Sequence, residues 1–301
     1  MDLRTKVLLI LYRLFPFPLR GDCALGEADP DYRISCLINF YGRPHLLRNI
    51  LSSLAEQDFP KRRFEVVLVE DREGTPEGSE LVEGYRERLN VRYFTLKDNF
   101  GQMGYARNFA LSNSRGKYIL LLDDDTVILQ RDFLTTLLKE FDRTHADALI
   151  PHGFASFCRL KGRYQFHDPY YPTSRCVAYS REALGDLCGY VSDITGQEDV
   201  EFTIRFLAAG KRAVRSASLE YLHPPLIVEG LGKPRAVGAS FAKLRSKYPF
   251  PVWLMLLLNG ARHLPLLLFP FNRQFLMQGR FALGFILGAL FPGLGGENSY
   301  T

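Results

Sequence analysis

Four short apolar runs, Ile34–Asn39 (ISCLIN), Phe64–Val69 (FEVVLV), Val91–Leu96 (VRYFTL) and Lys117–Leu122 (KYILLL), alternate with segments whose apolar residues recur at helical spacing. This alternation constrains the fold more than any other feature of the chain. From Pro44, a residue suited to the first helical position, Leu46, Leu47, Ile50, Leu51 and Leu54 fall on one stripe. A charged helix is expected near Glu77–Leu89 and another over Gly104–Ser114. Strands alternating with helices predict βαβ units, a mostly parallel sheet and right-handed crossovers. Ligands of such sheets bind beyond the carboxyl ends of the strands, which is where the chemistry should be sought.

Charge divides the chain. Of its 38 basic and 33 acidic residues, only Arg262, Arg273, Arg280 and Glu297 lie in residues 250–301. The sequence reads as an apolar N-terminal segment (1–30), an α/β body (31–225), and a basic stretch with a hydrophobic helical tail (226–301). The run Val7–Tyr12 is too short to span a bilayer, and Pro16 and Pro18 end any helix there. No small-residue cleavage site follows, so this segment is expected to lie on a membrane interface or to pack as a short helix on the body. Pro251–Phe271 is long enough to span but is interrupted by Asn259, Gly260, Arg262, His263 and Pro265. A charge at a helix centre costs about 2.5–3.5 kcal/mol on insertion scales. Two short amphipathic or re-entrant helices therefore fit the tail better than two clean spans, seated on a membrane or buried against a second copy. The net charge of +5 is too mild and dispersed to indicate nucleic acid. Cys23, Cys36, Cys158, Cys176 and Cys188 are odd in number and lack C-x-x-C spacing, which argues against a disulfide framework and fits a reducing compartment.

Acids mark the strand ends. The second run closes in Glu70-Asp71 and the fourth in Asp123-Asp124-Asp125. In extended backbone, side chains two apart point the same way, so Asp123 and Asp125 can face one ligand while Asp124 faces elsewhere. Two hard carboxylates suit Mg²⁺ or Mn²⁺, whose remaining ligands commonly come from substrate phosphates. Alternatively, one of the three caps the helix that begins near Arg131, or all are solvated. Further on, Thr195 and Glu198 have capping-box spacing, and Val200, Ile204, Leu207 and Ala208 form a helical stripe ending at Gly210. Asp199 falls in the first turn, where it either answers the helix dipole or serves as a general base. His223 is either a hydrogen-bonding residue or a ligand at the same centre. Lys233, Arg235, Lys243, Arg245 and Lys247 could close over a diphosphate, meet anionic lipid or form a solvated face.

Read together, these segments resemble the family 2 glycosyltransferases, from about Ile34 to His223. The opening ISCLINFYGRPHLLRNILSSLAEQDFP is similar to the family's first strand, loop and helix, including Gln57 and Pro60, but the loop departs. Where the family has I-P-x-x-N, this chain has Ile38-Asn39-Phe40-Tyr41-Gly42. Asp71 matches the second acid of the V-D-D-G-S element, with Glu70 in place of the first. Asn99-Phe100-Gly101 and Ala106-Arg107-Asn108 match N-x-G … A-R-N, the aspartate triplet fits D-x-D, and Glu198-Asp199 fits the E-D motif. The resemblance implies a GT-A fold and an inverting mechanism. It further implies donor contacts from Asp71, Asn99, Arg107, Asp123 and Asp124, metal ligation by Asp123 and Asp125 with His223, an acceptor-side Glu198, and Asp199 as catalytic base.

The expected enzyme is a glycosyltransferase that uses a nucleotide-diphosphate sugar and Mg²⁺ or Mn²⁺. Its expected acceptor is a glycan or lipid-linked acceptor of the cell envelope, met at the cytoplasmic face of the membrane. Two other readings compete. A nucleotidylyltransferase would need a Gly-rich phosphate loop, of which INFYGRPHLL is a poor version. A non-catalytic membrane adaptor predicts loss of the acidic motifs, which are present.

Overall fold

A computed structural model describes residues 3–155, 175–224 and 230–294. Helix α1 (Leu3–Leu14) precedes a run of alternating elements: β1 (Ile34–Phe40), α2 (Pro44–Ala55), β2 (Phe64–Glu70), α3 (Pro76–Glu83), β3 (Val91–Thr95), α4 (Met103–Ser112) and β4 (Tyr118–Asp123). All four expected strands form, and they lie parallel in the order β3-β2-β1-β4. Pro44 opens α2 as its spacing predicts. The Thr75 hydroxyl caps α3 by accepting from Gly78 N at 3.0 Å. That helix stops at Gly84, short of the expected Leu89, although Tyr85 and Leu89 still reach the core from the turns that follow.

After β4 come β5 (Val127–Ile128), α5 (Phe133–Thr144), β6 (Ala148–Ala155), β7 (Cys176–Ser180), α6 (Arg181–Asp186), α7 (Glu198–Ala208) and β8 (Ala213–His223). They complete an eight-stranded sheet, β3-β2-β1-β4-β7-β6-β8-β5. β6 and β8 are parallel, whereas β7 runs antiparallel to both β4 and β6, and β5 antiparallel to β8. The sheet is thus mixed, with its parallel part built by the helix-linked first half.

Both faces are covered. On one, Cys36, Ile38, Leu68 and Leu120 pack against Leu47, Ile50 and Leu51 of α2 and Leu134 and Leu137 of α5. On the other, Leu37, Val67, Val69 and Leu121 meet Ala110 and Leu111 of α4 and Phe202 and Phe206 of α7. Each fully buried Leu, Val or Phe contributes about 1.5–3 kcal/mol, so the two layers hold the strand ends in fixed register.

The remaining helices are α8 (Gly232–Ala242), α9 (Phe250–Ala261) and α10 (Arg273–Leu290). Val237, Phe241, Tyr248, Trp253, Leu256 and Phe285 form a third cluster with Val200 and Ile204 of α7 and with Leu8 and Phe17 of the N-terminal segment. Glycines let α8 and α10 approach closely. A Cβ on Gly238 would stand 2.0 Å from Phe285 O, and one on Gly288 2.1 Å from Arg235 O. The N-terminal segment does form a helix packed on the body, yet Val7, Ile10 and Leu14 face outward, as do Leu258, Leu268, Phe269 and Phe271 of the tail. Phe250–Leu268 is the one stretch among the described residues long and apolar enough to cross a membrane, which makes it a candidate anchor. Cys23, Cys36, Cys176 and Cys188 are free thiols; Cys158 and Glu297 lie outside the described residues.

Candidate active site

The aspartate triplet sits where β4 ends, and β8 brings His223 to meet it. His223 Nε2 lies 3.0 Å from Asp125 Oδ1 and 3.4 Å from Asp123 Oδ2. One ligand atom from each of Asp123, Asp125 and His223 falls within 4.8 Å of the others. Asp124 faces elsewhere, although through a turn closed by Thr126 N on Asp123 O at 3.1 Å and not through strand alternation: it is buried, one oxygen pairs with Arg43, and Oδ2 has no partner among the described residues. Arg43 also reaches Asp125 Oδ2 at 3.2 Å. The alternative in which the triplet caps a helix does not hold, because Asp132 occupies the N-cap position of α5, seven residues beyond Asp125. Nor are the acids simply solvated.

Electrostatics follow from this crowding. Burial opposes charge on Asp123, but the His223 hydrogen bond and the Arg107 charge outweigh it and hold this carboxyl well below the usual carboxylate range. Burial pushes Asp124 up to about 7, with Arg43 opposing and the neighbouring carboxylates assisting. Burial would lower His223, yet its bonds to Asp123 and Asp125 raise it to about 9. Two carboxylates and one imidazole converging on one point, beside a buried unpaired carboxylate oxygen, form a donor set that fits a hard divalent cation tolerant of nitrogen.

Just past the end of β2, with β1 between it and β4, Asp71 Oδ2 accepts from Gly101 N at 2.8 Å and Oδ1 from Arg72 N at 2.9 Å. Asn99 and Gly101 take left-handed backbone (φ 52° and 71°), so the N-x-G motif makes the turn that offers this amide. Glu70 is structural: it is fully buried and bonded by Tyr93 and by the Thr75 hydroxyl at 2.7 Å. Gln57 also works locally, joining the end of α2 to Gln130 O at 2.7 Å and to Leu134 N at 3.1 Å.

Helix α4 spans the two halves of the site. Arg107, 3% exposed, donates from Nε to Glu198 Oε1 at 2.7 Å and from its terminal nitrogen to Asp123 Oδ1 at 3.2 Å. Next to it, Asn108 binds the loop that leads into α7, donating to Tyr190 O (2.8 Å) and Ser192 Oγ (2.9 Å) and accepting from Tyr190 N (2.8 Å). Gly104 N donates to Ile194 O at 3.0 Å, and a Cβ there would meet Val191 O at 1.9 Å. The expected capping box is not formed. Gln197 is the residue before α7, in left-handed backbone (φ 61°), while Thr195 N donates to Ser240 Oγ of α8 at 3.2 Å. The Glu198 carboxylate turns to Arg107 instead. Burial pushes Glu198 up to about 7 against the attraction of Arg107.

Asp199 lies in the first turn of α7, half-buried, with Oδ1 accepting from Val200 N at 2.8 Å. Deeper in the helix, Arg205 donates to both Glu201 oxygens at 2.8 Å and to the carbonyls of Leu187 (3.0 Å) and Gly189 (2.9 Å), and Tyr248 closes on Glu201 from the tail. Of the basic stretch, Lys247 pairs with Asp193 at 3.5 Å. Lys233 feels the triplet, since burial and Arg43 lower its pKa while Asp123, Asp124 and Asp125 oppose them. Sequence reasoning did not single out Arg43. Its only signal was a cation directly before the helix-opening Pro44, in a loop whose length follows no periodicity.

A mixed α/β sheet flanked by helices, with acids at the carboxyl ends of its parallel strands, is the GT-A architecture of nucleotide-sugar enzymes. The chain belongs to glycosyl transferase family 2, whose pattern matches residues 35–193. It is similar to the poly(ribitol-phosphate) β-N-acetylglucosaminyltransferase TarS of Staphylococcus aureus, at 36% identity over 118 residues, 39% of this chain and 20% of that protein. Similarity to the succinoglycan biosynthesis protein ExoM of Rhizobium meliloti is 34% over 110 residues, 36% of this chain and 35% of the other. The matched stretches thus cover well under half of these relatives. Among solved structures, TarS residues 1–349 in complex with UDP-GlcNAc aligns with a TM-score of 0.56 at 23% identity, over 73% of this chain and 69% of that one. The mannosyltransferase PcManGT of Pyrobaculum calidifontis, in complex with GDP-Man and Mn²⁺, aligns with a TM-score of 0.62 at 18% identity over 96% of both chains. Membership of this family argues against the nucleotidylyltransferase reading.

Proposed function

We propose that this chain is a glycosyltransferase that transfers a sugar, with inversion, from a nucleoside-diphosphate sugar to a hydroxyl of a cell-envelope glycan or its lipid-linked precursor. The observation that carries the proposal is the convergence of Asp123, Asp125 and His223 at one end of the Arg107 bridge, with Asp199 next to Glu198 at the other. A divalent ion held by Asp123, Asp125 and His223, Mg²⁺ or Mn²⁺, supplies Lewis-acid stabilisation of a leaving diphosphate. Asp71 and the turn at Asn99–Gly101 hold the nucleoside, and Asp124 completes the donor side through Arg43. Asp199, in the first turn of α7, takes the proton of the acceptor hydroxyl as that hydroxyl attacks the anomeric carbon. Glu198 does not take the proton, because Arg107 holds its carboxylate in place. UDP is the leading nucleotide, because TarS, a relative in sequence and fold, is solved with UDP and UDP-GlcNAc.

The test screens UDP, GDP, dTDP and CMP for thermal stabilisation, each with and without Mn²⁺. A ligand at about 100 times its Kd stabilises the native state by roughly 2.7 kcal/mol. One diphosphate acting only with metal supports the donor reading, and no response from folded protein overturns it. Asp199→Asn should abolish transfer and leave nucleotide stabilisation unchanged; retained turnover would remove Asp199 from the base role.

The enzyme meets its acceptor on the cytoplasmic surface of a membrane. Ile10 and Leu14 of α1 and Leu268 and Phe271 of the tail are 55%, 66%, 79% and 102% exposed, and residues 230–294 hold basic side chains but no acid. That combination suits anionic headgroups over acyl chains. Co-sedimentation with vesicles containing anionic lipid should be lost in the Leu268→Ser, Phe271→Ser double variant. A dimer in solution that buries these side chains would replace the membrane reading.

A further inference from the structure

We infer that Arg43, anchored on Asp124, is a positioning residue that aims the Asp125 carboxylate at the divalent cation, an inference that rests on the metal reading of Asp123, Asp125 and His223. The two metal-facing carboxylates are held alike. Asp123 gives Oδ1 to Arg107 at 3.2 Å and turns Oδ2 towards His223 Nε2 at 3.4 Å. Asp125 gives Oδ2 to Arg43 at 3.2 Å and turns Oδ1 towards the same nitrogen at 3.0 Å. One oxygen of each acid is thus tied back by an arginine, and the other faces the point where the three side chains converge. His223 is braced as well, with Nδ1 donating to Pro224 O at 2.5 Å.

Arg43 is itself fixed at both ends. Its backbone starts α2: it follows Gly42, which takes left-handed backbone (φ 62°), and its carbonyl accepts from Leu46 N at 3.0 Å and Leu47 N at 3.2 Å. Its guanidinium crosses to the end of β4, where Nη2 grips Oδ1 of the buried Asp124 while Nη1 holds Asp125. The fork therefore bridges neighbouring acids, and the middle aspartate, turned away from the convergence point, has the task of seating it. Partners that orient metal ligands commonly matter 10–100-fold for metal affinity. Charge alone predicts the opposite sign, since a cation beside the site repels a divalent ion and its removal would tighten binding. Lysine cannot substitute, because an ammonium on a flexible stem is a point charge and not a planar fork.

The test measures Mn²⁺ affinity of the full chain by electron paramagnetic resonance, with and without UDP, and uses circular dichroism to establish that each variant is folded. The Arg43 side chain is 48% exposed, so replacing it opens no core cavity. We expect Arg43→Gln to weaken Mn²⁺ binding by about tenfold or more, against the Coulombic sign. Arg43→Lys should lose affinity as well, since it keeps the charge without the fork, and it decides the matter if Arg43→Gln does not fold. Asp124→Asn should weaken binding in the wild-type chain and much less in the Arg43→Gln background. Unchanged or tighter Mn²⁺ binding by folded Arg43→Gln overturns the proposal, as does wild-type affinity in Arg43→Lys, which would make charge alone sufficient. Additive losses from the Arg43 and Asp124 changes overturn Asp124 as the anchor. Wild-type protein that is folded but binds no Mn²⁺, with or without UDP, instead refutes the metal reading on which the inference stands.

Discussion

Replacing Arg107 by methionine keeps the length of the side chain and removes its charge from the most enclosed part of the site. Arg107 is 3% exposed and the Glu198 side chain 5%, so water cannot take over the lost partner. Breaking a buried ion pair on one side costs about 3–5 kcal/mol, because a charge remains without compensation. Arg107→Met should therefore lose about 3 kcal/mol or more at pH 7. The pH dependence has a definite sign. Without Arg107, the folded-state pKa of Glu198 rises further above its unfolded value. Stability from such a group is complete below the unfolded pKa and is lost as pH rises through the folded one. The deficit relative to wild type should therefore shrink from pH 8 to pH 5. Urea unfolding of both proteins at three pH values measures it, and adding Glu198→Gln should recover part of the loss. A deficit below about 1 kcal/mol at pH 7, or one that grows on acidification, would refute the assignment of Arg107–Glu198 as a buried, mutually dependent pair.

Asp125→Ala should weaken Mn²⁺-dependent UDP stabilisation while barely moving the melting temperature of the ligand-free protein, since its side chain pairs only at the site surface; an unaltered UDP titration with Mn²⁺ would count against the metal assignment. Gly104→Ala sets two effects against each other. Alanine gains about 1 kcal/mol of helix propensity, but its Cβ would stand 1.9 Å from Val191 O, and overpacking typically costs 1–3 kcal/mol or more. The clash should win, with a lower melting temperature and transfer falling more than nucleotide binding, because the displaced loop leads into α7; a stabilised, fully active variant would contradict the close contact.

Legibility in the sequence followed the range of the interactions involved. β1, β2 and β4 were readable because each is covered on both faces and so written as an almost uninterrupted apolar run, whereas the edge strand β3 is only half-buried along its length. Alternation placed Asp123 and Asp125 together and Asp124 apart; the structure keeps that division, but by a turn that begins where β4 ends. His223 was left open, since nothing local to residue 223 announces that β8 ends beside β4. The T-x-x-E spacing at Thr195 misled for the converse reason. A capping box is a local bargain, and here Ser240 claims the Thr195 amide while Arg107 claims the Glu198 carboxylate, each from far along the chain. Arg43 lay in a loop without period, where only tertiary contact decides which cation reaches the acids.

The position of Asp199 relative to the aspartate triplet is set by structure on both sides of α7. From the sheet side, Arg107 connects Asp123 directly to Glu198, the residue before Asp199, so a single side chain separates the aspartate triplet from the first turn of α7. From the other side, Val200 and Ile204 pack into the tail cluster, and the Tyr248 hydroxyl reaches the Glu201 that Arg205 already grips. A helix held at its start by a buried cation and along its length by two cores has little freedom to shift its first-turn carboxylate, which matters because misplacement by about 1 Å can reduce rate a hundredfold. The hydrophobic tail therefore has a task within the body of the protein: the faces of α8 and α9 turned inward buttress α7. Loss of the tail should cost activity even toward a soluble acceptor, where no membrane is involved.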